Sequence, residues 1–563
     1  MSEQRHESNQ NNFLVHGGIL ALASVLVRII GMIYRVPMVR IIGREGSGYY
    51  STAFSIYNIL LLLSSYSLPL AVSKMVSARV ALKKWKETER VLLVAMLFAV
   101  GVGLVFALLT YFGADFFCTK VMRMPLAAVA LKWMAPTIFI MAVLGVLRGF
   151  FQGLQTTVPT AISQILEQII NALVSVGMAF VLFNYGQELA LTADGASYAA
   201  AWGAAGGTIG TGAGALFALI FMSVLFFMYS DTLKKHAARD RHKKIASYER
   251  LFQILLLTAV PVILSTAAYN SIDIFDSAIF NHYMSNAGYT VQEYTGVWGD
   301  YNNAYLVLIH LPIALASAIA VALVPSLTAA YVKKDKRTVL KRMDLTVRVT
   351  LLIAIPFAFG LIVIGGNLAK LLFGNISVEA ERYLVFGGLA VIFFSLSTVT
   401  NAILQGLNHM DRPMTHAFFA LLIHLGVLIL LLQVFHLEIY AVIIAYMVFG
   451  LAMCVMNMIS VYKLSGYLPD PMKTFVLPLL SATAMAIVCF LVSFIFSKFL
   501  SGTMLNLMIV LVGFILGVIT YAFGVLFTGC LDKETLIELP FGTKLAKAAE
   551  KMHLLQSEKA DEH

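Results

Sequence analysis

Charged residues are scarce in this chain of 563 residues, and their scarcity restricts its class more than any other property. They make up 12% of the sequence against 60% for hydrophobic residues, and the mean hydropathy is +0.84. A soluble globular domain does not have this balance. The net charge of +10 resides in short loops, so we expect no nucleic-acid partner.

Cysteine is rare, and nucleotide-binding motifs are missing. The four cysteines, Cys118, Cys454, Cys489 and Cys530, are dispersed, which argues against both a disulfide framework and a metal site. No Gly-x-x-x-x-Gly-Lys-Ser/Thr loop occurs, so an ATP-driven pump in one chain is not expected. We expect a protein that is not an enzyme, with no catalytic residues.

Long apolar runs fill most of the sequence instead. A membrane span needs about 20 predominantly apolar residues. That length predicts an all-α polytopic membrane protein of about fourteen transmembrane helices, which begin near Leu14, Tyr49, Val91, Leu126, Pro159, Ala200, Leu251, Asn302, Leu345, Arg382, Thr415, Ile439, Lys473 and Gly502.

Lysine and arginine are distributed unevenly among the connections. The loops after predicted helices 2, 6 and 8 carry six, seven and seven of them, whereas the connections after helices 5, 7 and 11 carry none. Because basic loops stay in the cytoplasm, both termini are expected there, which agrees with an even number of spans. The basic loops would face anionic membrane lipids.

A weak internal repeat predicts two halves. Gln405 of an LQGL motif lies 253 residues after Gln152 of FQGL, and Pro325, expected to close helix 8, lies 256 after Pro69, expected to close helix 2. An even-numbered unit repeats in parallel, as two six-helix bundles related by a pseudo-two-fold axis with the substrate site between them. The expected segments are an N-terminal tail (1–13), a first bundle (14–229), a basic linker (230–250), a second bundle (251–463), helices 13 and 14 (464–528) and a C-terminal tail (529–563).

Arg28 and Arg35 lie in an otherwise apolar stretch of the first helix. A guanidinium in mid-bilayer costs about 2.5–3.5 kcal/mol, so such residues usually face a cavity or a partner. Seven residues make two turns, which puts both arginines on one face, where they would suit a diphosphate. The alternatives are pairing with acids of neighbouring helices and, for Arg35, extension of the side chain to the outer interface.

Other intramembrane charges are candidates for ion coupling or for structure. Asp273 and Asp276 share a helix face and are interpreted either as a site for a coupling Na⁺ or proton or as counter-ions of Arg28 and Arg35. Arg148 and Glu167 are predicted to form a structural ion pair. Gly206, Gly210 and Gly214 recur every fourth residue, which indicates close helix packing.

Five sequence blocks resemble the start of the SpoVB/YtgP-type polysaccharide-biosynthesis proteins: IYRVP at 33–37, GREGSGYY at 43–50, LPLAVSKMV at 68–76, RGFFQG at 148–153 and PTAISQILEQ at 159–168. Two positions depart from the pattern, Ser67 where a glycine is expected and Asn171 where an arginine is expected. The resemblance implies membership of the multidrug/oligosaccharidyl-lipid/polysaccharide exporter superfamily and relatedness to MurJ-like lipid II flippases. It also implies that Arg28 and Arg35 line a cationic cavity, whereas Asn171 weakens any contribution of helix 5 to its wall.

The function that this resemblance implies is a flippase of the bacterial plasma membrane. It would move an undecaprenyl-diphosphate-linked cell-wall precursor, with lipid II as the expected substrate, from the inner to the outer leaflet by alternating access. The membrane potential or a Na⁺ or proton gradient would drive this movement. Cell-wall synthesis enzymes are possible partners. The alternatives are an exporter of another lipid-linked polysaccharide repeat, a cation-coupled multidrug exporter and a scaffold of wall synthesis that transports nothing.

Overall fold

The computed structural model describes residues 2–65, 67–190, 197–242, 245–374 and 376–530. Within these ranges the chain is helical, with short π- and 3₁₀-helical segments and without a strand. The expected C-terminal tail lies outside the described residues, except for Gly529 and Cys530. The chain divides into two compact units, Met1–Asn302 and Asn303–His563.

The first unit contains nine described helices. They are α1 (Ser2–Ser64), α2 (Leu68–Ala81), α3 (Trp85–Phe116), α4 (Ala127–Gly153), α5 (Val158–Ala190), α6 (Ser197–Arg239), α7 (Tyr248–Asn270), α8 (Ile272–Asn286) and α9 (Val291–Asp300).

The second unit contains eight described helices. They are α10 (Leu308–Val332), α11 (Lys336–Phe373), α12 (Tyr383–Gly387), α13 (Ala390–Gly406), α14 (Asp411–Gln433), α15 (Ile439–Ser465), α16 (Leu477–Phe496) and α17 (Gly502–Phe527). A π-helical segment at Tyr301–Val307 joins α9 to α10 across the division between the units.

Eleven helices of the described ranges are long and apolar enough to cross a bilayer, or twelve if α12 and α13, bent by 51° relative to each other, form one span. Helix α1 comprises two helices on either side of Gly43, whose φ of 70° lies in the left-handed region that favours glycine. Division of α1 at this kink brings the number closer to fourteen. The expected count and the position of the termini stay predictions.

The expectation that Pro69 closes a helix is wrong. Pro69 lies in the first turn of α2, where its missing N–H removes no intrahelical hydrogen bond. Helix α10 likewise continues beyond residue 325 to Val332. In both places the proline lies inside a helical segment that reaches a basic loop.

The glycines of α6 pack directly against α5, which confirms the sequence prediction. A methyl group on Gly206 would overlap the backbone of Met178, and one on Gly214 would overlap the backbone of Glu167. A methyl group on Gly210 would meet Ser175. Small residues let two helices approach until their backbones touch, and here the stripe extends over two turns.

Equivalent helix ends in the two units support the predicted repeat. Lys83 and Lys334 both have φ of 56°, and Gln155 and Asn408 both have φ of 64°. The members of these pairs are 251 and 253 residues apart. A non-glycine residue rarely adopts a positive φ, so two matched pairs at nearly one offset favour duplication over coincidence.

The helix packing beside these ends is matched as well. Gly153 of α4 lies against Val76 of α2, and Gly406 of α13 lies against Leu327 of α10. The offsets are 253 and 251 residues, the same as for the helix ends. Each unit therefore contains the same helix-on-helix contact at the same place; the six-helix segment boundaries stay a prediction.

The basic linker is attached to the start of α3 by two buried acids. The Asp240 carboxylate accepts backbone hydrogen bonds from His242 at 2.9 Å and from Lys86 at 3.0 Å. The His242 backbone N–H, together with the other donors, lowers the pKa of Asp240 to about 2. Glu87 accepts a hydrogen bond from the Ala246 N–H at 3.3 Å. The linker therefore packs as part of the first unit.

Candidate functional site: a cationic face on the first helix

Arg28 and Arg35 project from the same face of α1. A separation of seven residues is about 20° short of two full helical turns, so the two side chains point in nearly the same direction. The large exposed apolar residues Ile29 and Ile33 lie roughly 100–160° around the helix from them. The arginines are thus separated from the side of α1 that has the character of a lipid-facing surface.

Gly31 and Tyr34 of α1 face α5. A side chain on Gly31 would come within 3.0 Å of the Gln168 amide nitrogen, so the two helices approach closely there. The Asn171 amide donates a hydrogen bond to the Tyr34 hydroxyl at 3.4 Å. These contacts fix the rotation of α1 and so the direction in which its arginines project.

Arg35 is half-buried, and no acid among the described residues forms an ion pair with it. Its guanidinium lies over the ring of Tyr50, 5.8 Å from the centroid, a distance at which a cation is attracted to an aromatic face. The Nε atom is buried without a hydrogen-bond partner among the described residues. Buried donors are normally paired, so this N–H is available to an acceptor that the protein itself does not provide.

Arg28 is exposed and forms no hydrogen bond or ion pair with any residue in the described part of the chain. The two guanidinium groups therefore present about two positive charges on one helix face. A planar fork of N–H donors matches the oxygens of a phosphate or carboxylate.

Arg148 of α4 has the opposite surroundings. It is 7% exposed and donates to Glu167 of α5 at 2.7 Å and to the Ser163 hydroxyl at 2.9 Å. The two residues form an ion pair, and the structural role that the sequence analysis assigns to this pair stays a prediction. The connection between the helices is short, which places the end of α4 beside the start of α5.

Asp273 and Asp276 lie in the first turns of α8 in different environments. Asp273 is exposed, whereas Asp276 is 1% exposed. Both interact with other groups of the chain. No cluster of three or more His, Cys, Asp or Glu side chains suited to a metal occurs among the described residues. Their role in ion coupling or as counter-ions stays a prediction.

A further ion pair was not foreseen from the sequence. Arg44 donates to Asp300 of α9 at 2.7 Å, and Asp300 is buried. Gly48 and Gly299 permit this contact, because a side chain on either would overlap the backbone of the opposing helix. Arg44 lies in the GREGSGYY block at 43–50, but no pattern in the neighbouring sequence indicates that it pairs with an acid 256 residues away.

The sequence matches the family model described as "Polysaccharide biosynthesis protein" over residues 14–331. The chain belongs to this family. Residues 304–430 also match the MatE family model.

Two relatives from Bacillus subtilis (strain 168) resemble the chain along most of their length. The lipid II flippase MurJ is 24% identical over 69% of this chain and 72% of its own. Stage V sporulation protein B is 26% identical over 75% of this chain and 78% of its own. A solved structure, "Lipid II flippase MurJ, inward closed conformation", covers 90% of this chain and 98% of its own with a TM-score of 0.63 at 15% identity.

These similarities confirm the fold class and the general assignment. The chain is a multi-pass transporter of the bacterial plasma membrane rather than an enzyme, and its helical fold is that of the multidrug/oligosaccharidyl-lipid/polysaccharide exporter superfamily. Lipid II is the substrate named for the Bacillus MurJ relative. The individual precursor and the residues that bind it are matters for proposal.

Proposed function

We propose that this protein is a flippase for lipid II, and that Arg28 and Arg35 bind the diphosphate of this precursor. The observation that carries the proposal is the surroundings of Arg35: its half-buried guanidinium lies beside an aromatic ring, and its buried Nε–H finds no acceptor within the described ranges. A phosphate oxygen supplies that acceptor. The similarity to the lipid II flippase MurJ of Bacillus subtilis supports the same substrate class.

The spacing of the arginines suits a diphosphate rather than a single phosphate. Seven residues extend about 10 Å along a helix. Two long, flexible arginine side chains can bridge this distance and contact opposite ends of one diphosphate. Charge-assisted hydrogen bonds from a guanidinium are roughly twice as strong as neutral ones. In this proposal the polyprenyl tail stays in the bilayer while the headgroup crosses by alternating access.

The driving force is proposed to be the membrane potential or a Na⁺ or proton gradient, with Asp273 and Asp276 as the candidate ion-binding residues. One charge that crosses 100 mV contributes about 2.3 kcal/mol. A loss of transport in Asp276→Asn with substrate binding intact would support coupling through this carboxylate. Unchanged transport would exclude it.

The test is translocation of lipid II by the purified protein in proteoliposomes. Arg28→Ala and Arg35→Ala are each expected to reduce the rate at least tenfold, because one charge-assisted contact contributes about 1.5–3 kcal/mol. Arg40→Gln is the matched control: it removes a positive charge from the same helix on a different face. Undiminished translocation by Arg35→Ala would contradict the assigned role.

A multidrug exporter is the second candidate, favoured by the MatE match over residues 304–430. Cargo of such exporters is usually cationic, and the free arginines on α1 disfavour it by charge repulsion. Drug-resistance assays in cells beside lipid II translocation in vesicles distinguish the two. Drug efflux that survives Arg28→Ala and Arg35→Ala, without lipid II movement, would favour the second candidate.

A further inference from the structure

The second unit contains a pocket that the proposed transport function does not use. Its volume is about 870 Å³, and it lies where α10, α13 and α15 end and α11 begins. Tyr331, Leu340 and Leu407 contribute apolar wall, and Lys334 and Lys336 lie at its rim. A pocket of this size holds a small amphiphile or part of a lipid.

The equivalent corner of the first unit is filled by protein. At the repeat offsets of 251 and 253 residues, Tyr331 corresponds to Val80, Lys336 to Trp85 and Leu407 to Leu154. In the first unit, all three belong to one apolar cluster with Leu233 of α6.

The filling of the first corner depends on the length of α6. Helix α6 has 43 residues, and near its end His236 stacks on Trp85 with 4.5 Å between ring centroids. Helix α15 has 27 residues and ends at Ser465, where Gly466 turns the chain in the left-handed conformation. Beyond this turn Tyr467 packs into the apolar cluster with Val339 and Leu407, while the pocket remains open beside Ser465 and Gly466.

Charge distinguishes the second corner from an ordinary apolar pocket. Residues 333–342 contain six Lys or Arg and a single acid, Asp335. The Asp335 carboxylate accepts hydrogen bonds from Thr338, which lower the pKa of Asp335 and occupy this acid at the helix cap. On the positive-inside rule this loop faces the cytoplasm, at the level of the lipid headgroups.

We propose that this pocket binds an anionic phospholipid of the cytoplasmic leaflet. The acyl chain contacts Tyr331, Leu340 and Leu407, and the phosphate is held by Lys334 and Lys336. Basic pockets between transmembrane helices on the cytoplasmic side have the chemistry that such headgroups require. The lipid takes the place that α6 and its side chains have in the first unit.

The test places a tryptophan at the rim of the pocket. Val332 is 73% exposed, so Val332→Trp is compatible with folding. The full-length variant is reconstituted in vesicles that contain brominated phosphatidylglycerol or brominated phosphatidylcholine, and its fluorescence quenching is measured against the parent protein. Phosphatidylglycerol is expected to quench the added tryptophan at roughly tenfold lower mole fraction than phosphatidylcholine.

The lysines are tested in the same background. Lys334→Gln with Lys336→Gln is expected to abolish the preference for phosphatidylglycerol, since each nearby lysine contributes several-fold to the binding of anionic lipid. Lys333→Gln with Arg337→Gln removes the same charge from the same loop at residues outside the pocket. This matched control is expected to keep most of the preference.

Four outcomes would overturn the proposal. Equal quenching by the two lipids would exclude a charge-selective site, and equal loss in the two double variants would indicate only the general field of the loop. A tryptophan shielded from both lipids would mean that protein fills the pocket. Relief of quenching by stoichiometric farnesyl diphosphate would assign the pocket to a prenyl diphosphate instead.

Discussion

Arg35 and Arg148 both lie in apolar helices of the first unit, but of the two only Arg148 forms an ion pair with an acid among the described residues. Arg148 is held by a carboxylate and a hydroxyl at 2.7 Å and 2.9 Å. Arg35 lies over an aromatic ring, and its buried Nε–H has no acceptor in the part of the chain that the structure describes. The difference separates an arginine whose charge is paired within the fold from Arg35, the arginine proposed to bind a ligand, which has no acid partner among the described residues.

The largest expected effect is on stability at the paired arginine. Arg148→Met leaves Glu167 without its cation, and loss of one partner of a buried pair costs about 3–5 kcal/mol. The free energy of unfolding in detergent should fall by about 3 kcal/mol, the lower end, because Glu167 is partly exposed. Arg35→Met is the comparison variant and should change stability by less than about 1 kcal/mol.

The pair itself can be separated from its two members by a double-mutant cycle. Arg148→Met with Glu167→Leu removes both charges together and should recover most of the stability lost in Arg148→Met, by about 2 kcal/mol. Additive losses would mean that the two side chains act independently. That result would contradict a stabilising interaction between Arg148 and Glu167.

Replacement of each arginine by lysine tests geometry at constant charge. Arg35→Lys keeps the cation but loses the planar fork, so lipid II translocation should fall roughly tenfold with stability unchanged. Arg148→Lys should instead lower the thermal midpoint and leave the transport rate per folded molecule nearly unaltered. Translocation rate and thermal midpoint, measured on the same preparations, separate the two effects.

The smallest effect is expected at the aromatic ring. Tyr50→Leu removes the cation–π contact and should weaken binding of the substrate by about 0.5–1 kcal/mol, through a less well-oriented Arg35. Tyr50→Phe keeps the ring and should have a smaller effect. Equal effects of the two substitutions on the substrate concentration for half-maximal transport would show that the hydroxyl, rather than the ring, matters.

The sequence predicted those parts of the structure that depend on local pattern. Apolar length identified the membrane helices, and the fourfold spacing of Gly206, Gly210 and Gly214 identified a packing stripe. The Arg148–Glu167 pair was accessible because a short connection joins their helices. The alignment of Arg28 with Arg35 follows from helix geometry alone.

Features that depend on distant parts of the chain were not accessible in this way. Arg44 and Asp300 meet across 256 residues, and neither position reveals the other. The shared face of Asp273 and Asp276 gave no indication that one is exposed and one buried, because burial depends on which neighbouring helix covers each side chain. Pro69 was misassigned because proline is compatible with the beginning of a helix as well as with its end.

The contact between α5 and α6 has a mechanical consequence. Gly206 and Gly214 of α6 lie directly against the α5 backbone at Met178 and Glu167, so sliding by one residue would bring α6 side chains against that backbone. These two helices should therefore move as one rigid body in any transport cycle. Bending must be concentrated in segments joined by looser packing, such as the Gly43 kink of α1.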